Sequence, residues 1–203
     1  MPGKFIAIEG IDGAGTSSQT AHLKQRLEDR GHRVHVTAEP SSGPIGRLIR
    51  ELLGRIDDPP DPATMALLFA ADRIEHLRTE IVPTLQRGHH VLSDRYLLSS
   101  LAYQSLDNPL PWVSTLNQHA RPPDLTVLFE VRPDVAAARR EGRGGAEELY
   151  DARRTQERLA KTYDRLAQEL PEQRVVRLDA NPDFDTVAAD FELLVRGCLE
   201  GDG

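Results

Sequence analysis

The 203-residue chain has a single cysteine, Cys198, so it can build neither an internal disulfide nor a cysteine-based metal site. It has no apolar run near the roughly 18 residues that a membrane-spanning helix needs. Positive charge is in deficit. The formal net charge of −7 argues against nonspecific binding to nucleic acid or to an anionic membrane, although a local basic patch can still hold a small anion. There is no internal repeat, linker or low-complexity tract. The opening MPGKFIAIEG reaches a charged residue and a glycine too soon for a signal peptide, which sets the expectation of a cytoplasmic protein in a reducing compartment. What is present, 39% hydrophobic and 28% charged residues, suits one domain over 1–203 with a sizeable core.

Short apolar runs alternate with stretches of helical spacing. KFIAIEG at 4–10 stops at a glycine, and SSQTAHLKQRLEDRG sets Ala21, Leu23 and Leu27 among polar residues, which reads as strand, glycine loop, helix. HRVHVTAEP is a second strand closed by Pro40, and PIGRLIRELLG a helix that starts at a proline and stops at a glycine. From Asp61 to about Arg87 the spacing predicts a long helix kinked near Pro83, followed by the strand HHVLSD. RYLLSSLAYQSL is predicted helical, as is a short segment from Trp112 to His119; PDLTVLFEV is the most apolar strand. DVAAARREG and EELYDARRTQERLAKTYDRLAQEL are predicted helices, QRVVRLDA a last strand and DFDTVAADFELLVRGCL a last helix. Five strands alternating with helices predict an α/β fold, a five-stranded parallel sheet with helices on both faces.

Between the first strand and first helix lies GIDGAGTSSQT, residues 10–20. Gly10, Gly15 and Ser17 match the phosphate-loop pattern G-x-x-x-x-G-K-[ST], but Thr16 stands where the lysine belongs. With 15 glycines in the chain such a glycine pair arises by chance roughly once, so the flanking strand and helix must carry the reading. Backbone N–H groups and the positive helix end there favour a phosphate, making Gly10, Gly13, Ala14, Gly15, Thr16, Ser17 and Ser18 candidate contacts. A tight strand-to-helix turn with no ligand is the alternative. Ser17 is placed to put its hydroxyl on Mg²⁺, and Asp94, ending an apolar strand, is placed as the acid of a metal site. Arg139, Arg140, Arg143, Arg153, Arg154 and Arg158 form a basic stretch interrupted by glycines, either a solvated helix face or part of a mobile segment. His35, His89 and His90 read as surface or packing histidines, with no carboxylate or cysteine at ligand spacing.

The segments IEGIDGAG, TAEP, LLFAADRIEHL, VLSDRYLLSSLAYQ, PDLTVLFEV and LYDARRTQER follow the order and spacing of the thymidylate kinase family, which the chain resembles over nearly its whole length. The resemblance implies a P-loop NTPase fold with a small mobile lid at about 139–151. It implies phosphorylation of dTMP to dTDP with ATP and Mg²⁺, a step of dTTP synthesis, by a homodimer joined through helices. On matching positions, it implies that Arg95 forks onto the dTMP phosphate, that Phe69 stacks on thymine with Arg73 at its carbonyl edge, and that Ser100 or Gln104 hydrogen-bonds the base. Tyr103 would lie under the sugar, where its bulk excludes a 2′-hydroxyl. Asp12 resembles the carboxylate that organises the acceptor, the metal or an arginine. Glu39 belongs to TAEP, where many relatives have arginine instead of Ala38. Tyr150 and Asp151 match the tyrosine and acid after the lid, near sugar and metal. Gly13 resembles the type that supplies catalytic charge from the lid, which makes Arg143, with Arg139 and Arg140 beside it, the candidate for that role. LDANPDF resembles the adenine-side loop.

The departure at Thr16 bears on catalysis, because lysine places a point charge on the β- and γ-phosphates and threonine offers only a hydroxyl. By analogy with losing one preorganised donor, the cost is about 3–4 kcal/mol, or roughly 10²–10³ in rate. Lys24 lies about 12 Å further along the helix, at 1.5 Å per residue, and is not expected to reach back. A lid arginine is. Compensation is the favoured expectation, because Arg95, Phe69, Arg73 and Tyr103 would be useless to a dead enzyme. The alternatives are a nucleotide-binding homodimer that has lost phosphoryl transfer, and a kinase for another nucleoside monophosphate such as dUMP or CMP.

Overall fold

A computed structural model of the chain describes residues 2–143, 149–150, 153–170 and 174–201. Five strands, β1 (Phe5–Gly10), β2 (Val34–Ala38), β3 (His90–Asp94), β4 (Leu125–Glu130) and β5 (Val175–Asp179), pair in the order β2-β3-β1-β4-β5, all parallel. The most apolar runs take the middle. β1 is buried at every position and β4 at all but Glu130, which is what strands covered on both faces require. The edge strands β2 and β5 are only half-buried. Asp94 stands level with Ile8 on one side and Ala38 on the other, so the carboxyl ends of β1, β2 and β3 finish together along one edge. In open parallel sheets that edge is where ligands bind.

Nine α-helices cover the sheet: α1 (Thr16–Asp29), α2 (Pro44–Leu53), α3 (Pro62–His76), α4 (Val82–Gln86), α5 (Leu97–Gln104), α6 (Leu110–Leu116), α7 (Pro133–Arg143), α8 (Arg153–Glu169) and α9 (Phe184–Glu200), counted among the described residues. α1 packs on α9, and α5 packs on α8. Among the described residues, no helix is long and apolar enough to cross a membrane.

Three predicted boundaries move. The long helix does not simply kink at Pro83: it widens into a π turn at Leu77–Ile81, where the Val82 N–H reaches back to the Leu77 carbonyl, and α4 starts beyond it. α6 stops at Leu116 rather than His119, and the Asn117 side chain turns back to donate to the Val113 carbonyl at 2.9 Å. The helix expected from EELYD begins only at Arg153. Leu149 and Tyr150 form a turn instead, with the Leu149 N–H on the Leu53 carbonyl at 3.1 Å and both side chains against Ile49, Leu53 and Met65. Tertiary packing overrides local helical spacing there. Within the stretch expected as a lid, residues 139–143 are the C-terminal end of α7.

Candidate active site

The phosphate loop spans the gap between β1 and α1. Gly15 caps α1 in the left-handed region (φ 92°), and no side chain caps the helix, so its leading N–H groups are left for an anion. Gly13 is also left-handed (φ 89°), and a Cβ there would stand 2.3 Å from the Ala136 carbonyl oxygen of α7. No side chain fits at 13, so none can work from it. Thr16 is buried at the start of α1, and Lys24 pairs with Glu28 at 3.7 Å. The Ser17 hydroxyl donates to Asp94 Oδ2, while Asp94 Oδ1 is buried without a partner. An unsatisfied carboxylate oxygen beside a hydroxyl suits a cation. Among the described residues no three His, Cys, Asp or Glu converge; Mg²⁺, which binds through one or two carboxylates plus phosphates and waters, does not need them.

Asp12 gathers four elements. Its Oδ1 accepts from Arg95 Nη2 at 2.5 Å, and its Oδ2 accepts from Tyr103 Oη at 2.9 Å and from Gln156 Nε2 of α8 at 2.8 Å. Its backbone N–H donates to Gln156 Oε1 at 3.1 Å, and its carbonyl accepts from Arg140 Nη1 of α7 at 2.6 Å. Burial pushes the Asp12 carboxyl toward a higher pKa, but the Arg95 charge, Gln156, Tyr103 and Arg140 together hold it below the usual value. Asp12 is thus an anion held in place.

Arg95 lies between β3 and α5 with φ 70°, a left-handed conformation for a side chain that disfavours it. Its N–H donates to the Ile8 carbonyl at 2.7 Å, and its carbonyl accepts from Ser93 Oγ at 2.7 Å. The guanidinium lies over the Tyr103 ring, 5.0 Å from its centroid. Glu9 secures the next turn. From inside β1 its Oε1 accepts the N–H groups of Tyr96 and Leu98 at 3.0 and 3.1 Å, capping α5, and its Oε2 accepts from Ser99 Oγ. Burial raises the Glu9 pKa to about 7, with Ser99, Arg95 and Arg73 pulling the other way.

Beside this cluster opens a cavity of about 120 Å³, lined by Asp12, Glu39, Phe69, Arg73, Arg95, Ser100, Tyr103, Gln104 and Tyr150, nine of the residues singled out from the sequence. Phe69 and Arg73, one turn apart on α3, share its wall. Arg73 is 1% exposed and heavily engaged: Nη1 donates to Asn117 Oδ1, and Nη2 to Glu39 Oε2 (2.6 Å), to the Tyr96 carbonyl (2.9 Å) and to Ser100 Oγ (2.9 Å). Glu39 therefore holds Arg73, with buried His76 3.3 Å from its other oxygen. Two buried atoms remain unpaired, the donor Arg73 Nε and the acceptor Gln104 Oε1. Tyr150 meets Tyr103 edge-on at 5.2 Å.

A second cleft, on the other side of the loop, is lined by Gly13, Ala14, Gly15, Ser18, Arg139, Ala180 and Pro182 among others. Arg139 Nη1 donates to the Ala180 carbonyl at 2.8 Å and Nη2 to that of Pro182 at 3.1 Å, which ties α7 to the turn after β5. The Arg143 side chain and Asp151 lie outside the described residues.

A sequence model of the family described as thymidylate kinase matches residues 8–191. The chain is 42% identical to a probable thymidylate kinase of Pyrobaculum aerophilum over 95% of its own length and 96% of that protein's. It is 37% identical to the thymidylate kinase of Halalkalibacterium halodurans, over 96% of each. It is 39% identical to that of Magnetococcus marinus, over 97% of each. The chain belongs to the thymidylate kinase family. As a thymidylate kinase it is a nucleoside monophosphate kinase, and its five-stranded parallel sheet is that of a P-loop NTPase. Four residues that hold or adjoin these side chains escape sequence reasoning: Glu9, Gln156, Asn117 and Arg50. Arg50 shares a cleft with Ser17 and Asp94 and donates to the Ser41 carbonyl at 2.5 Å. Gln156 stands in the segment LYDARRTQER, yet an amide on a polar helix carries no signal until the fold lays it on Asp12.

Proposed function

We propose that this chain transfers the γ-phosphoryl group of ATP to dTMP, giving dTDP and ADP, with dTMP in the cavity beside Asp12 and ATP on the phosphate loop. The unpaired Arg73 Nε and Gln104 Oε1 carry this reading. A buried donor and a buried acceptor in one cavity want an acceptor and a donor in return, and thymine presents such a pair in its O4 and N3–H. Phe69 supplies a ring for the base to stack on, and Tyr103 fills the floor where a 2′-hydroxyl would go.

Arg95, held at the cavity mouth by Asp12, takes the acceptor phosphate and aligns its oxygen for in-line attack. Tyr150 closes the sugar side. Ser17 and Asp94 would hold Mg²⁺, with Asp151 as the remaining candidate; the metal neutralises charge on the donor phosphates. The loop amides from Gly13 to Ser18 hold those phosphates, and arginines of the 139–151 stretch, Arg143 among them, stabilise charge on the group in transit. A homodimer is supported by Leu67 and Ile74, seven apart on α3 and 52% and 47% exposed. ATP as donor and the lone Cys198 fit a cytoplasmic setting.

Purified protein incubated with ATP, Mg²⁺ and dTMP, with dUMP, CMP and UMP as parallel acceptors, tests the reading through ADP formation. Turnover with dTMP is expected. Bound dTMP without turnover would overturn it in favour of a binding protein, and faster turnover of another acceptor would reassign the substrate.

A further inference from the structure

One buried acid has no part in the transfer assigned above. Glu9 is fully buried in β1, and while its Oε1 is spent on the α5 amides, its Oε2 meets Ser99 Oγ. That hydroxyl is shared: it accepts from Arg95 Nη1 at 3.3 Å and lies 2.8 Å from Tyr163 Oη of α8. A hydroxyl has one proton to give and two lone pairs. With Glu9 ionised, Ser99 donates to Oε2 and accepts from Arg95 and Tyr163; with Glu9 protonated, Oε2 donates to Ser99, which still accepts from Arg95 and now donates to Tyr163. A proton can come and go at Glu9 by reversing two hydroxyls, with the Arg95 contact kept.

Charge decides which state holds. Arg95, and Arg73 of α3, face Glu9 with positive charge, but each is already matched by a carboxylate, Asp12 and Glu39 respectively. Tyr163, kept protonated by burial, and Leu128, level with Glu9 in β4, add no charge. An ionised Glu9 is therefore a surplus negative charge behind the guanidinium that is to take a phosphate. Burial already lifts its pKa to about 7, and a phosphate dianion on Arg95 lifts it further.

We propose that Glu9 is a proton store coupled to the acceptor site: it takes up a proton from solvent as the dTMP phosphate settles on Arg95, and so removes a charge that would repel the phosphate. The inference rests on dTMP binding at Arg95. Glu9 touches no substrate atom and is a positioning residue, acting through Ser99 and Arg95. By reciprocity, whatever raises its proton affinity on binding must make dTMP bind more weakly as pH rises.

Calorimetry of dTMP binding without ATP, in buffers of different ionisation enthalpy from about pH 6.5 to about pH 8.5, counts the protons. If the bound state raises the Glu9 pKa by about one unit, uptake peaks at about half a proton near pH 7.5, and affinity falls about tenfold across the window. Glu9→Gln, whose Nε2 donates to Ser99 as the protonated acid does, should lose both the uptake and the fall. The substrate phosphate, with its second pKa at about 6, contributes a release of protons that is common to both proteins and cancels in the difference. Ser99→Ala removes a hydrogen bond that lowers the Glu9 pKa, so its uptake peak should move to higher pH, which keeps the test open if the glutamine variant does not fold. Equal proton counts in the unsubstituted chain and Glu9→Gln, or a peak that Ser99→Ala leaves in place, would overturn the inference and leave the dTMP site standing. A chain that binds neither dTMP nor inorganic phosphate would refute the acceptor site, and this inference with it.

Discussion

Replacing Glu9 by glutamine measures how strongly the centre of the sheet resists a charge. Glu9 is fully buried in β1, and burial lifts its pKa from the ordinary 4.5 to about 7 despite Ser99, Arg95 and Arg73. Between those two values the folded protein keeps a proton that the unfolded chain has released. Stability therefore falls as pH rises through this window, and the loss is complete above the folded pKa. At about 1.36 kcal/mol for each pH unit of the window, the full swing is about 3 kcal/mol. Glutamine keeps the shape, still accepts the Tyr96 and Leu98 amides through Oε1, and holds no titrating proton. Urea unfolding at several values from about pH 5 to about pH 8 should show the unsubstituted chain losing roughly 2–3 kcal/mol relative to Glu9→Gln as pH rises. Other titrating groups, such as Asp12 and His90, are common to both proteins and cancel in the difference. Parallel stability curves would refute the reasoning.

Arg95→Ala should lower kcat/KM for dTMP by about 10²-fold or more and leave ATP affinity nearly unchanged, as measured by steady-state kinetics and calorimetry; unchanged dTMP kinetics would remove Arg95 from the site. Tyr103→Ala should admit UMP as an acceptor, whereas Tyr103→Phe should keep rejecting it and lose only the hydrogen bond to the Asp12 carboxylate, worth about 1.5–3 kcal/mol; UMP rejected by both would place discrimination elsewhere. Gly13→Ala should destabilise the chain by about 2 kcal/mol or more and weaken ATP binding, since the new Cβ meets the Ala136 carbonyl in a left-handed backbone. An unchanged Tm would mean that α7 does not rest on the loop.

The strands were legible because each is a short apolar run, and β1 and β4, the most apolar, are the ones buried in the middle. The cavity was legible for a related reason: Phe69 and Arg73, or Ser100, Tyr103 and Gln104, lie within single turns of a helix and keep their mutual geometry wherever that helix packs. What escaped depends on distant pairings. Gln156 meets Asp12 across 144 residues, and Glu9, which reads as one strand residue among six, caps a helix 87 residues further on. Arg73 is expected at the carbonyl edge of the base, and which of its nitrogens is left for that is not legible, because Asn117, Glu39, Tyr96 and Ser100, all outside α3, occupy both Nη atoms and leave Nε. Tyr150 belongs to a segment of helical spacing that the hydrophobic cluster beneath α2 holds as a turn.

The central place of β1 has a consequence for how the molecule is made. During synthesis β1 leaves the ribosome before any strand that pairs with it. One of its flanks waits for β4, and the Phe5 N–H bonds the Asp124 carboxylate 119 residues later. At 5–20 residues per second, the most apolar edge of the nascent chain stays open for roughly 6–24 s. Until then the chain carries an unsatisfied strand edge, and its exposure to chaperones and to aggregation is concentrated in that interval.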